Sequence, residues 1–420
     1  MTETPRSERL HIGIFGNRNA GKSSLINALT GQNVSVVSDV AGTTTDPVYK
    51  AMELHGFDPV VFIDTPGLDD TGELGELRVK KTMEALEKTD VAVFVFEPSA
   101  LSDKMGGSPS VGKVTEEWLA RIKAKNISII PVVNKCDDLT LSSNSAVGAS
   151  CGGSCDILIF SGEMPTDLRT PLPVSAKNGT NIEKLRELII KAAPESFLET
   201  SITGNLVQNG DLVLLVMPQD IEAPKGRLIL PQVQTIRELL DKKCSVMSCT
   251  ADTLDATLKC LTMPPSLIIT DSQAFKTVYP KVPDGSRLTS FSILFAAYKG
   301  DMNAFLSGAQ ALANLKDGNR VLIAEACTHP PTNEDIGRDK IPTLIRKKIG
   351  ENVQFDFVRG ADFPDDLSHY QLIIHCGACM FNRQHVMSRI ARAAAQNVPI
   401  CNYGIALAYL TGILDKVVHP

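Results

Sequence analysis

Residues 16–23 read Gly-Asn-Arg-Asn-Ala-Gly-Lys-Ser, and no other stretch limits the fold as much. An apolar run at 10–15 precedes it, and a helical pattern opens at Lys22. Strand, glycine-bounded loop and helix in that order make a phosphate cradle. Backbone N–H groups converge on an anion, and the positive end of the helix adds to the pull. The rhythm then repeats. Apolar runs at 59–63, 91–96, 127–133 and 172–174 alternate with helices expected near Glu76, Gly112 and Asn181. Such alternation predicts a mainly parallel sheet with helices on both faces.

Two further α/β segments follow. Strands are expected at 211–217 and 266–270, around a helix at 226–240 with Val233, Ile236, Leu239 and Leu240 on one face. So short a unit has a thin core, which predicts docking or self-association. Beyond residue 281, strands at 320–324, 353–358, 371–374 and 399–401 alternate with helices at 301–315, 341–349, 383–395 and 404–410. The expected fold class is α/β in three domains, at 1–198, 199–278 and 279–420. Residues 141–155, rich in Ser, Gly, Asn and Ala, read as a surface insertion.

Four more motifs follow the phosphate loop. Asp64-Thr65-Pro66-Gly67 closes the run at 59–63. A carboxylate there can hold Mg²⁺ through water, and the Gly67 amide can sense a γ-phosphate. Lys22 is expected to bridge the β- and γ-phosphates and Ser23 to ligate Mg²⁺, with Gly16, Gly21 and Ser24 beside them. Thr44, in Gly42-Thr43-Thr44-Thr45-Asp46, is the expected switch residue closing on Mg²⁺. In Asn134-Lys135-Cys136-Asp137, the Asp137 carboxylate can accept the N1 and N2 donors of guanine, a pair adenine lacks. Asn134 would fix that loop and the Lys135 stem would cover the ring. In Ser175-Ala176-Lys177, the Ala176 amide could reach guanine O6. Cys136 fills the variable position of its motif. Leu68 stands where a water-orienting Gln is common, and no general base is evident. Positioning and electrostatics must then carry hydrolysis of GTP, which predicts slow turnover.

The net charge is −6, which argues against nucleic acid or an anionic membrane as a partner. Residues 1–9 lack a signal-peptide pattern, and the longest apolar runs, such as 91–96 and 212–217, are too short to span a bilayer. A cytoplasmic location is the expectation.

Ten cysteines occur in a chain of 420 residues, which needs no disulfides for stability. Cys244, Cys249, Cys260 and Cys401 read as buried small hydrophobes, and Cys151 and Cys155 as exposed thiols of the insertion. Cys327, in Cys-Thr-His-Pro, and Cys376 and Cys379, in His-Cys-Gly-Ala-Cys, follow expected strands. Parallel strands can bring such loops together at their carboxyl ends. Three thiolates with His329 or His375 suit a closed zinc site, and equally an iron–sulfur cubane. Spacing leaves both open.

The N-terminal motifs resemble translation-factor-like GTPases, particularly the group with the tRNA-modifying and ribosome-assembly enzymes. That resemblance implies a potassium ion held by Asn19 against the phosphates, and it expects Arg where Thr45 stands. Nearly the whole chain, the Ser/Gly insertion excepted, resembles the GTPase maturation factors of FeFe-hydrogenase, the HydF family. Cys-Thr-His-Pro at 327–330, His-Cys-Gly-Ala-Cys-Met-Phe-Asn-Arg at 375–383, Ala-Pro-Lys-Gly-Arg-Leu-Ile-Leu-Pro-Gln at 223–232 and Leu-Thr-Ser-Phe at 288–291 carry the likeness. The resemblance implies a P-loop GTPase domain, a small dimerisation domain and an iron–sulfur domain, in that order. It further implies a 4Fe-4S cluster on Cys327, Cys376 and Cys379, with His329 or His375 as candidate fourth ligand. The cargo would be a transient diiron precursor made with two radical-SAM maturases and delivered by a homodimer to apo FeFe-hydrogenase. A ribosome- or tRNA-associated GTPase with structural zinc is the rival reading.

Overall fold

The computed structural model describes residues 5–31, 47–54, 57, 59–68, 73–98, 113–137, 171–198, 201–217, 228–326 and 335–420. The chain divides into two compact units, Met1–Glu199 and Thr200–Pro420. The insertion at 141–155, with Cys151 and Cys155, lies outside the described residues.

The first unit is built on a six-stranded sheet: β1 (Leu10–Gly16), β2 (Val48–Glu53), β3 (Pro59–Asp64), β4 (Val91–Phe96), β5 (Ser128–Val133) and β6 (Leu172–Pro173). Its order is β2-β3-β1-β4-β5-β6, and only β2 runs antiparallel to its neighbour. Every residue of β1 and β4 is buried, as befits central parallel strands covered on both faces. The covering helices are α1 (Lys22–Thr30), α2 (Glu73–Leu86), α3 (Lys113–Ala124), α4 (Ile182–Lys191) and the single turn α5 (Glu195–Leu198). α4 turns Ile182, Leu185 and Ile189 inward, spacings of three and four residues that lie on one helical face. β2 has no strong sequence signal, because its mixed, half-exposed residues pair at the sheet edge.

The second unit holds two four-stranded parallel sheets. β7 (Leu212–Val216), β8 (Ser245–Cys249), β9 (Leu267–Thr270) and β10 (Arg287–Ser290) take the order β10-β9-β7-β8. β11 (Arg320–Glu325), β12 (Gln354–Arg359), β13 (Leu372–His375) and β14 (Ile400–Asn402) take the order β12-β11-β13-β14. The first of these sheets therefore runs past the expected junction at 278/279. Its helices are α6 (Leu230–Asp241), α7 (Leu254–Lys259) and the short α8 (Phe275–Val278). α9 (Phe291–Lys299), α10 (Met302–Ala313), α11 (Ile341–Ile349), α12 (Arg383–Ala395) and α13 (Tyr403–Leu410) follow.

α9 sits between the sheets, and the Ser290 side chain caps it by accepting from the Ile293 N–H. Phe291, Leu294 and Phe295 pack with Val213, Leu215 and Ile269. Ile293 and Ala296 join a core that runs from Leu214 and Ile268 through Phe305 to Val321 and Ile374. Burial of each large apolar side chain stabilises the fold by about 1.5–3 kcal/mol, so this continuous core ties both sheets into one body.

Candidate functional site

β1 delivers the phosphate loop to the carboxyl end of the first sheet. Lys22 is buried, and its ammonium donates to the carbonyls of Gly16 at 3.0 Å and Asn17 at 2.8 Å. Gly21 adopts φ 82°, and a Cβ there would stand 2.3 Å from Asn134 Nδ2. Glycine is required both by that left-handed backbone and by the contact. Asn19 is exposed and also left-handed at φ 63°. Ser24 follows in the first turn of α1.

Ser23 Oγ donates to Asp64 Oδ2 at 2.6 Å. Asp64 Oδ1 is buried and has no hydrogen-bond partner among the described residues, as is also true of Asn17 Oδ1. Burial pushes the Asp64 carboxyl up, against the Ser23 hydrogen bond and the charges of Lys22 and Lys50. A hydroxyl beside a buried carboxylate with an unused oxygen is a donor set that fits a hard divalent cation such as Mg²⁺. Thr65 ties the strand end to β1 through the Ile14 carbonyl at 2.7 Å, and Gly67 lies against the backbone of Arg18. Thr44 lies outside the described residues.

Hydrogen bonds join Asn134 to Ala176 and Ser175 to Asp137, four of the residues expected to frame a guanine base. Asn134 Nδ2 donates to the Ala20 carbonyl at 3.1 Å, and Asn134 Oδ1 accepts from the Ala176 amide at 3.1 Å. One side chain thus locks the phosphate loop to the 175–177 loop. Ser175 Oγ donates to Asp137 Oδ1 at 2.6 Å and accepts from the Asn178 amide. Asp137 itself is exposed. Lys135, at φ 65°, pairs with Glu97 at 2.5 Å, and Lys177 is exposed. Cys136 is buried against the Val133 carbonyl, in keeping with a purely packing role.

The cysteine turn lies at the carboxyl end of β13, next to β11. The Ala326 N–H donates to Cys376 Sγ at 2.9 Å, and the Cys376 N–H donates to the Ala324 carbonyl at 2.9 Å. The residue immediately before Cys327 is thereby fastened to the Cys376 sulfur. Ala378 adopts φ 52° and folds the chain back between Cys376 and Cys379. Neither cysteine is in a disulfide. Cys327 and His329 lie outside the described residues, and among the described residues no group of three or more His, Cys, Asp or Glu is gathered as for a metal. An amide donating to sulfur beside two closely spaced thiols fits a thiolate-held cluster, whose sulfurs are tuned by such hydrogen bonds.

His375, the other histidine expected near the cluster, is fully buried. Its Nδ1 lies 2.8 Å from the Cys376 carbonyl, and its Nε2 lies 3.0 Å from Arg389 Nη1. Arg389 can only donate, so Nε2 accepts and Nδ1–H donates. Burial, then the Arg389 charge, pull the imidazole down to about 3, against the hydrogen bond to Cys376. With both ring nitrogens engaged, His375 serves the core in this arrangement. β13 is buried along its whole length, so neither of its faces would leave residue 375 in solvent.

Sequence reasoning missed the groups that hold the turn. Arg389 is buried between the rings of Phe363 and Phe381, 4.8 and 4.7 Å from their centroids. The buried Lys299 donates to the Phe381 carbonyl at 2.7 Å. Arg383 donates to the carbonyls of Tyr298 at 3.0 Å and Gly300 at 2.8 Å. No motif marks them, because their partners come from other elements. Of the four cysteines expected inside, Cys244 and Cys401 are buried and Cys249 is half-buried. Cys260 is exposed, at the end of a surface helix whose buried residue is Leu254.

Comparisons with known proteins divide along the same lines. Residues 11–135 match the model of the 50S ribosome-binding GTPases. Residues 202–300 match the hydrogen maturase F dimerization domain, and 303–420 the hydrogen maturase F tetramerization domain. GTPase Der of Wolinella succinogenes is 34% identical over 198 residues, 43% of this chain and 35% of that protein. The tRNA modification GTPase MnmE of Cupriavidus pinatubonensis is 30% identical over 192 residues, 44% of this chain and 37% of that protein. The chain thus spans about a third of the length of these curated relatives. A crystal structure of Era in complex with MgGDPNP and 16S ribosomal RNA is 19% identical, with a TM-score of 0.36, over 57% of this chain and 92% of that one. The second and third matched segments name one maturase and together cover more than half of the 420 residues, behind a GTPase domain. The chain belongs to the hydrogen maturase F (HydF) family.

Proposed function

We propose that this protein is a GTP-hydrolysing scaffold that carries a 4Fe-4S cluster and delivers a diiron precursor to apo FeFe-hydrogenase. The observation that carries the reading is the Ala326 N–H at 2.9 Å from Cys376 Sγ. It holds Ala326, the residue before Cys327 in sequence, at the sulfur of Cys376, which supports the reading that Cys327 joins Cys376 and Cys379. The maturase matches over 202–420 support the same reading.

In the first unit, Lys22 would neutralise charge on the β- and γ-phosphates. Ser23, Asp64 and Thr44 would hold Mg²⁺, which supplies charge stabilisation for phosphoryl transfer. Gly67 would sense the γ-phosphate, and Asn134, Lys135, Asp137, Ser175, Ala176 and Lys177 would frame guanine. Asn19 would place K⁺ against the phosphates, so that slow hydrolysis is stimulated by potassium.

Cys327, Cys376 and Cys379 would hold the cluster. Of the two candidate histidines His329 is the better fourth ligand, since His375 is engaged on both sides. Exchange with the cargo would take place at the iron that no cysteine holds, where His329 would be the displaceable ligand. Assembly as a homodimer through the middle segment, a cytoplasmic location, and contact with two radical-SAM maturases complete the proposal. No helix among the described residues is long and apolar enough to cross a membrane.

Anaerobic purification and reconstitution test the cluster. A brown protein absorbing near ~400 nm, with iron lost in Cys327→Ala, Cys376→Ala and Cys379→Ala, supports it. A colourless protein containing zinc supports the ribosome-associated rival instead. Coupling is tested with Lys22→Ala: if hydrogenase activation is unchanged while GTP hydrolysis is abolished, nucleotide turnover does not drive delivery.

A further inference from the structure

We propose that Arg18 is a catalytic residue built into the phosphate loop, whose guanidinium stabilises the charge on the γ-phosphate as GTP is hydrolysed. The inference rests on the nucleotide reading above and deepens it.

The loop presents Arg18 at its crest. On one side, the Asn17 carbonyl accepts from the Lys22 ammonium at 2.8 Å and from the Ala20 N–H at 3.3 Å. On the other, Asn19 turns the chain through the left-handed region at φ 63°. The side chain between them is exposed. Facing it is Gly67, the residue expected to sense the γ-phosphate. A Cβ on Gly67 would stand 3.0 Å from both the N and the Cβ of Arg18, and 3.1 Å from its Cα. The arginine stem therefore starts where the phosphate loop and the γ-phosphate sensor meet.

The neighbouring residue leaves the work to charge. Leu68 stands where a water-orienting Gln is common, and it is buried with Phe15, Phe94 and Phe96. An alkyl side chain packed in that core can neither donate to a water nor accept from one. The Asp64 carboxylate is engaged by Ser23 on the side expected to hold the cation. In hydrolysis, water adds to the γ-phosphorus as the bond to the β–γ bridging oxygen breaks. One water proton stays on the released phosphate, the other passes to solvent, and GDP leaves. Negative charge in the transition state is spread over the oxygens of the transferring group. A guanidinium offers paired, planar donors that match two phosphate oxygens at once, and its charge persists at any working pH.

The test uses the full-length chain as wild type, Arg18→Ala and Arg18→Lys. Phosphate release is followed at saturating Mg²⁺ and K⁺, so that the ion proposed at Asn19 is not the variable. Arg18→Ala should lower kcat on the order of 10²-fold and leave the affinity for GDP unchanged. It should also lose the capture of aluminium fluoride beside GDP, a mimic of the transferring phosphoryl group. Added guanidinium ion should restore part of its rate. Arg18→Lys keeps the charge without the fork and should fall between the two. Equal kcat in Arg18→Ala and wild type overturns the proposal. So does a fall in kcat matched by an equal loss of GDP affinity, which would make Arg18 a support of the loop. A wild-type protein that hydrolyses no GTP removes the nucleotide reading itself, and this inference with it.

Discussion

Ser23 donates its hydroxyl to one oxygen of Asp64 at 2.6 Å, while the other oxygen of that carboxylate is buried with no hydrogen-bond partner among the described residues. Ser23→Ala should leave the fold intact and raise the Mg²⁺ concentration needed for half-maximal GTP hydrolysis. Lys22→Ala should cut kcat by about 10²-fold or more, since it removes a charge aimed at the transferring phosphoryl group. A magnesium titration of phosphate release, with circular dichroism as the folding control, checks both.

Asp137 is exposed and oriented by the Ser175 hydroxyl at 2.6 Å. Its carboxylate presents two acceptors where guanine presents two donors. Asp137→Asn replaces one acceptor with a donor. GTP affinity should fall by about 10²-fold, and xanthosine triphosphate, with a carbonyl at the corresponding position, should bind better than GTP. Competition against a fluorescent guanine nucleotide reads the change directly.

Gly308 lies in α10, where an added Cβ would stand 2.0 Å from the Ile400 carbonyl oxygen of β14. Backbone cannot yield as a flexible side chain can. Gly308→Ala should therefore destabilise the protein by about 1–3 kcal/mol despite the better helix propensity of alanine. Urea unfolding of the two proteins side by side is the measurement.

Glu238 accepts from the amides of Ile202 and Thr203 and from the hydroxyls of Ser201 and Thr203. Burial pulls its carboxyl up, but these hydrogen bonds outweigh burial and hold it below the ordinary value of 4.5. A lowered folded-state value stabilises the fold at neutral pH, and that contribution is lost as pH falls below 4.5 towards the folded value. Glu238→Gln should cost about 2 kcal/mol at pH 7, and the gap from wild type should shrink as the pH drops through that window. Thermal melts across pH 3–7 show whether the two curves converge.

The central strands could be read in advance because continuous apolar runs such as 91–96 have few other uses. The helix at 383–395 has the bounds that its pattern predicts. β2 and β8 could not be read, because half-exposed edge strands such as Ser245–Cys249 carry no clean alternation. The nucleotide loops were legible because Gly21, Asn134 and Asp137 are forced by local backbone and by the shape of the ligand. His375 was not. Its engagement in the core depends on Arg389, which the fold supplies from the next helix. Lys299 was silent for the same reason, since a lysine ending a helix usually faces water.

The core that joins Ile268 to Ile374 through Phe305 has a consequence for how this protein can be cut. A fragment beginning after α9 would keep the thiols but lose both the lid over its own apolar underside and the Lys299 that ties down the turn. It would be a sticky remnant rather than a portable cassette. Any attempt to graft the cysteine sheet onto another carrier has to bring the neighbouring sheet along.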